Sequence, residues 1–138
     1  MWEYQHSVET TATPEALWRH WSDMATWPQW NDGIAAIDVA GPFEVGTTFT
    51  MTPPADEPVR MRLVEIKPGE SFTDEMDAGT FAVRTEHRLE PAGTGLTRIV
   101  YRTEITGEAA DHIGPDLGPQ ITADFPEVLA ALAKRAEG

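Results

Sequence analysis

The sequence predicts an α+β fold in which a curved antiparallel sheet of about seven strands surrounds a long C-terminal helix. This prediction depends on two patterns. Residues in the middle of the chain alternate between apolar and polar types, as on strands with one buried face. Near the C-terminus apolar residues recur at intervals of three and four, as on one face of a helix. We expect one domain over residues 1–138, a length close to the commonest domain size.

The N-terminal segment predicts a strand followed by two short helices. Residues 2–11 alternate, and one face would carry Trp2, Tyr4, His6 and Val8. The first helix should begin after Thr13, whose hydroxyl can accept from a free backbone amide, with Pro14 in the first turn. The second should begin at Asp23 and end near Trp27–Trp30, because Pro28 disfavours a helical conformation at the residue before it.

Six further strands are predicted over residues 34–39, 47–52, 59–67, 71–76, 80–89 and 96–106. Turn residues separate them, and Pro68-Gly69 suits a type II turn. Alternation is clearest in the last two strands, whose inner face would carry Phe81, Val83, Thr85, His87, Leu89, Ile99, Tyr101, Thr103 and Ile105. A sheet with one apolar face has to be covered on that side.

The C-terminal segment is the long element that can cover this face. Its apolar stripe comprises Leu117, Ile121, Phe125, Val128, Leu129 and Leu132. Pro119 is tolerable near the helix start. Pro126 lacks an amide hydrogen and its ring crowds the carbonyl of Thr122, so we expect the helix to kink there.

Composition limits the classes of function. The chain has no cysteine, which excludes disulfides, thiolate metal sites and a cysteine nucleophile. A formal charge of -13 would repel nucleic acid and anionic membrane surfaces. No signal peptide or membrane span is recognisable, so we expect a cytoplasmic protein. The four histidines form no closely spaced pair; we expect no metal and no cofactor. Monomer and dimer both remain open.

Short segments in a fixed order resemble motifs of the START-like (SRPBCC) superfamily, which has the helix-grip fold and includes the birch pollen allergen and the polyketide cyclase/dehydrase families. They are residues 12–18 (ATPEALW), 23–30 (DMATWPQW), 95–99 (GLTRI) and 114–119 (GPDLGP). Thr13 departs from the family's usual alanine-proline. The resemblance implies that the sheet grips the last helix and leaves a cavity. Members bind lipids, sterols, plant hormones or polyketides, some cyclise or dehydrate polyketides, and others are co-chaperone domains.

Few polar residues fall on the predicted inner face, which is typical of a small-molecule site. His87 could act as a general base or bind a ligand carbonyl, and Tyr101 could orient a ligand or stabilise an enolate. The alternative for both is a buried core residue with a satisfied hydrogen bond. Asp74 and Glu65 could be buried acids, but we expect them to be solvated charges at strand edges, which is the commoner case for carboxylates. The predicted ligand-binding residues are His6, Trp27, Trp30, Met51, Met61, Phe72, Met76, Phe81, Val83, Thr85, His87, Tyr101, Thr103, Ile121, Phe125 and Leu129.

Three functions are compatible with these observations. The sequence favours binding of a hydrophobic small molecule of lipid, polyketide or aromatic type. The second is a polyketide cyclase or dehydratase that acts through His87 and Tyr101. The third is a protein-interaction module, for which the interior would be filled by Met, Phe and Trp side chains.

Overall fold

A computed structural model describes residues 1–138 and has the predicted α+β architecture. Its strands are β1 (Trp2–Thr10), β2 (Ala36–Val39), β3 (Thr48–Thr52), β4 (Val59–Lys67), β5 (Ser71–Asp77), β6 (Ala82–Gly93) and β7 (Leu96–Thr106). Its helices are α1 (Pro14–Ser22), a 3₁₀ helix (Met24–Gln29), α2 (Ala110–Thr122) and α3 (Phe125–Glu137). None of them is both long enough and apolar enough to span a bilayer.

The seven strands form one antiparallel sheet in the order β1-β7-β6-β5-β4-β3-β2. The register lines up two rows of side chains across the inner face. One row contains Phe72, His87, Tyr101 and His6. The adjacent row contains Leu63, Asp74, Thr85, Thr103 and Tyr4. Each row therefore mixes apolar and polar groups at one level of the sheet.

Local sequence determines most of the element boundaries. The hydroxyl of Thr13 accepts from the backbone amide of Ala16 at 3.1 Å, as predicted for the start of α1. β2 begins at Ala36, two residues later than predicted, because the amide of Ile34 bonds back to the carbonyl of Asn31 in a turn. β6 continues to Gly93, which leaves a two-residue connection to β7 in which Gly95 has a φ of +72°.

The C-terminal helix is long and bent, as predicted, and the bend follows Thr122, the residue whose carbonyl the ring of Pro126 would crowd. α2 ends at Thr122 and α3 begins at Phe125. Pro126 thus occupies the first turn of α3, where its missing amide hydrogen removes no helical bond. The helical region also begins earlier than the apolar stripe indicated, at Ala110.

Two glycines let α2 approach β1 closely. A Cβ atom at Gly118 would lie 2.5 Å from ring carbons of Trp2, and one at Gly114 would lie 2.6 Å from its Cβ. Only glycine leaves room for the indole at these positions. α2 and α3 both pack against β1 and so cover one side of the inner face.

The opposite face of the sheet is charged and paired. Five of its arginines form ion pairs with glutamates: Arg62, Arg84, Arg88, Arg98 and Arg102. Side chains on adjacent strand positions point to opposite faces. The positive charge of the central strands therefore lies outside the space between sheet and helices.

Candidate functional site

A cavity of about 510 Å³ lies between the inner face of the sheet, the 3₁₀ helix and the C-terminal helices. Fifteen of its 24 lining residues are hydrophobic. The predicted residues that line it are Trp27, Trp30, Met51, Met61, Phe72, Met76, Val83, Thr85, His87, Tyr101, Ile121 and Phe125. The structure therefore brings together most of the candidate residues, from β3 to α3, around one space.

His6 and Thr103 do not line the cavity, although both lie on the inner face as predicted. The helices pack against β1, where His6 is half-buried opposite Tyr101. Thr103 is fully buried, and its hydroxyl is 2.8 Å from that of Thr85. This pair satisfies two hydroxyl groups, of which only that of Thr85 belongs to a cavity-lining residue.

Phe81 and Leu129 are also outside the cavity wall. Phe81 lies just before β6 and packs on a separate small cluster around Val83 and Ile105. Leu129 is completely buried in the main core. It lies about 100° around α3 from Val128, which does line the cavity.

His87 is held in an aromatic sandwich. Its ring stacks on Phe72 with centroids 4.0 Å apart and an interplanar angle of 4°, and the Tyr101 ring meets it edge-on at 4.5 Å. Nδ1 of His87 lies 3.2 Å from the carbonyl oxygen of Phe72. A carbonyl oxygen can only accept a hydrogen bond, so Nδ1 carries the proton and donates it. Burial lowers the pKa of His87 to about 3, an effect that this hydrogen bond partly offsets. The imidazole is therefore neutral at physiological pH and a weak proton acceptor.

The hydroxyl of Tyr101 has one partner inside the protein. It accepts a hydrogen bond from Nε1 of Trp21 at 3.2 Å, and Trp21 itself lines the cavity. Burial raises the pKa of Tyr101, and the hydrogen bond from Trp21 opposes this shift. Tyr101 therefore keeps its proton, which it can donate to a ligand. Nε1 of Trp30, in contrast, is buried without a partner.

Asp74 is buried, which contradicts its predicted position as a solvated charge. It is only 4% exposed and lines the cavity, whereas Glu65 is exposed as predicted. No side chain donates a hydrogen bond or forms an ion pair with the Asp74 carboxyl group. Burial raises the pKa of Asp74 to about 7, partly opposed by a hydrogen bond from its own backbone amide. The signal was present in the sequence, since Asp74 alternates in phase with Phe72 and Met76.

Two further carboxylates complete the charged part of the wall. Asp56 comes from the loop between β3 and β4, and Asp124 from the bend between α2 and α3. Burial raises the pKa of Asp124, and the nearby Glu127 adds to this effect. No lysine or arginine lines the cavity. No group of three or more His, Asp or Glu side chains is arranged to hold a metal ion.

Comparisons with known proteins agree with this architecture. A family model described as polyketide cyclase / dehydrase and lipid transport matches residues 1–137. A search of curated proteins finds no match. Among solved structures, norcoclaurine synthase from Thalictrum flavum is similar, with a TM-score of 0.75 and 17% identity over 96% of this chain and 84% of that chain.

Two other solved structures widen the comparison. Ara h 8.0201 has a TM-score of 0.75 and 12% identity, and the match covers 97% of this chain and 96% of that one. The di-domain ARO/CYC protein BexL from the BE-7585A biosynthetic pathway has a TM-score of 0.77 and 16% identity over 99% of this chain and 47% of that one. At these identities the likeness establishes the fold.

Proposed function

Because the chain belongs to the polyketide cyclase / dehydrase and lipid transport family, we propose that it binds a hydrophobic small molecule of lipid, polyketide or aromatic type between the sheet and the C-terminal helices. The observation that supports this most directly is the apolar cavity of about 510 Å³. Small-molecule sites are commonly of this size and combine an apolar wall with a few polar groups. Here those groups include Asp74, Thr85 and Tyr101.

The proposal predicts that filling the cavity abolishes binding. Ile121 is half-buried on α2 and lines the cavity, so Ile121→Trp would place a larger ring in that space. The probe is N-phenyl-1-naphthylamine, an uncharged dye whose fluorescence rises in apolar surroundings. The control is Val45→Trp, at an exposed position outside the cavity wall.

We expect saturable binding to the wild type and to Val45→Trp, and at least tenfold weaker binding to Ile121→Trp. Circular dichroism would establish that all three proteins are folded. Equal binding by the two variants would show that the dye binds elsewhere and would contradict the proposal. So would failure of the folded wild type to bind.

A second candidate is proton-transfer catalysis on such a ligand, as in a cyclase or dehydratase. The low pKa of His87 weighs against His87 as the base. Asp74 suits that role better, because its pKa of about 7 is close to physiological pH and Tyr101 provides a proton donor in the same cavity. Deuterium exchange at the methyl group of 2-acetylnaphthalene in D₂O, followed by NMR, would test this candidate. We expect Asp74→Asn to abolish any acceleration by the wild type.

The third function, an interaction module, requires a filled interior. The cavity weighs against it, because aromatic and Met side chains line the space and do not occupy it.

A further inference from the structure

All the charged side chains that line the cavity are negative. They are Asp56, Asp74 and Asp124, and no lysine or arginine is among the lining residues. Five arginines of the neighbouring strands lie on the opposite face of the sheet, where glutamates pair with them: Arg62, Arg84, Arg88, Arg98 and Arg102. Nothing within the wall therefore balances these carboxylates.

Asp74 and Glu75 make the contrast clear, because they are adjacent in sequence and almost equally buried, at 4% and 7% exposure. Glu75 points to the outer face and is held by Arg84 at 2.7 Å and by Arg62 at 3.4 Å. Asp74 points to the cavity and has no such partner. A buried carboxyl group normally has a hydrogen-bonding or charged partner, because burial without one is unfavourable. Apart from its own backbone amide, Asp74 has no partner in the protein, so a cationic partner would have to come from the contents of the cavity.

We propose that the ligand of this cavity joins an apolar body to a protonated amine or a similar cation, and that Asp74 is the anchor of that cation. This inference rests on the proposed binding function and specifies its ligand class. The ammonium group would form a charge-assisted hydrogen bond with the carboxylate. The aromatic rings of Phe72 and Tyr101, in the same wall, favour either the apolar body or the cation itself. A ligand carrying a carboxylate would instead meet three like charges.

Three probes that share one ring system test the charge preference. 1-Naphthylmethylamine is cationic, 1-naphthylmethanol is neutral and 1-naphthoate is anionic, and their affinities are measured by isothermal titration calorimetry at pH 8. For the wild type we expect the amine to bind at least tenfold more tightly than the alcohol, and the acid to bind most weakly. Charged hydrogen bonds of this kind typically change affinity by about tenfold or more.

The variant Asp74→Asn keeps the size of the side chain and removes its charge. We expect it to bind the alcohol as the wild type does and to lose the preference for the amine. Glu65→Gln is the matched control, because it removes one negative charge from an exposed position on β4, outside the cavity wall. It should bind all three probes as the wild type does.

The dependence on pH provides a second readout. The ionisable groups in the wall around Asp74 are His87, Tyr101, Asp56 and Asp124. His87 stays neutral and Tyr101 stays protonated at pH 6 to 8, since burial shifts the pKa of each away from this range. With a pKa of about 7, Asp74 becomes mostly ionised over the same interval. The affinity for the amine, which stays protonated, should rise roughly tenfold from pH 6 to pH 8 in the wild type and should stay level in Asp74→Asn.

The outcomes separate this inference from the proposed function. If the wild type binds the alcohol as tightly as the amine, the inference is overturned while apolar binding stands. If Asp74→Asn keeps the amine preference, Asp74 is not the anchor. If the folded protein binds no naphthalene probe and no N-phenyl-1-naphthylamine, both proposals fail together.

Discussion

Replacing Asp74 with asparagine should stabilise the protein at high pH. The carboxyl group is almost completely buried and has no cationic partner, so its charged form is unfavourable in the folded state. Asparagine has nearly the same shape and carries no charge. The difference between the wild type and Asp74→Asn in free energy of unfolding should therefore depend strongly on pH.

The magnitude follows from the pKa of Asp74, which burial raises from 3.8 to about 7. Between these values the folded state holds a proton that the unfolded state has lost, so stability falls as pH rises. Each tenfold change in the acid dissociation constant corresponds to about 1.4 kcal/mol, and the full shift to about 4 kcal/mol. The wild type should lose about this amount between pH 4 and pH 7 relative to Asp74→Asn, and little more above pH 8.

Urea unfolding at pH 4, 6 and 8, followed by the fluorescence of the five tryptophans, measures this difference. We expect similar stabilities at pH 4 and an advantage of several kcal/mol for Asp74→Asn at pH 8. The exposed-site variant Glu65→Gln should parallel the wild type at every pH. If the stability curve of Asp74→Asn also runs parallel to that of the wild type, the carboxyl group is solvated in solution and the argument is wrong.

Three further predictions concern the core around the cavity. Phe72→Ala should cost about 3–5 kcal/mol in chemical denaturation, because the ring is fully buried and packs against several aromatic side chains. Gly118→Ala should lower the free energy of unfolding by about 1–3 kcal/mol, because the new Cβ would lie 2.5 Å from the Trp2 ring. In a Trp2→Ala background most of that loss should disappear, and an unchanged loss would disprove the clash. His87 should show no titration between pH 5 and 8 in ¹⁵N NMR, with the proton on Nδ1; a midpoint near 6.5 would contradict its burial.

For the last two strands, the sequence was sufficient to predict which side chains share the inner face. Strand alternation places His87 and Tyr101 on that face, and the short β6–β7 connection sets them directly opposite each other. The helical stripe likewise predicts that Ile121 and Phe125 meet the sheet, and both line the cavity. These predictions succeeded because they depend only on how apolar residues repeat within a single strand or helix.

Position along the inner face could not be predicted in the same way. Alternation assigns a side chain to a face but does not indicate whether a helix covers it, and this is why Thr103 and His6 lie beneath packed helices while Thr85 lines the cavity. Pro126 predicts the bend of the C-terminal helix, which follows Thr122 as expected. It does not indicate that the helix is fully interrupted there, and this interruption brings Asp124 into the cavity wall.

The prediction for Asp74 was wrong for a different reason. A general rule that carboxylates are solvated was given more weight than the phase of β5, which pointed the side chain inward.

The burial of Asp74 also bears on function. Its carboxylate destabilises the ligand-free protein at neutral pH, yet it is already desolvated and fixed in place before a cationic ligand binds. That preorganisation strengthens binding, because ordering and desolvation of the carboxylate have occurred during folding. Stability and recognition should therefore change in opposite directions in Asp74→Asn. A variant that gains stability at pH 8 while binding 1-naphthylmethylamine undiminished would refute the connection between them.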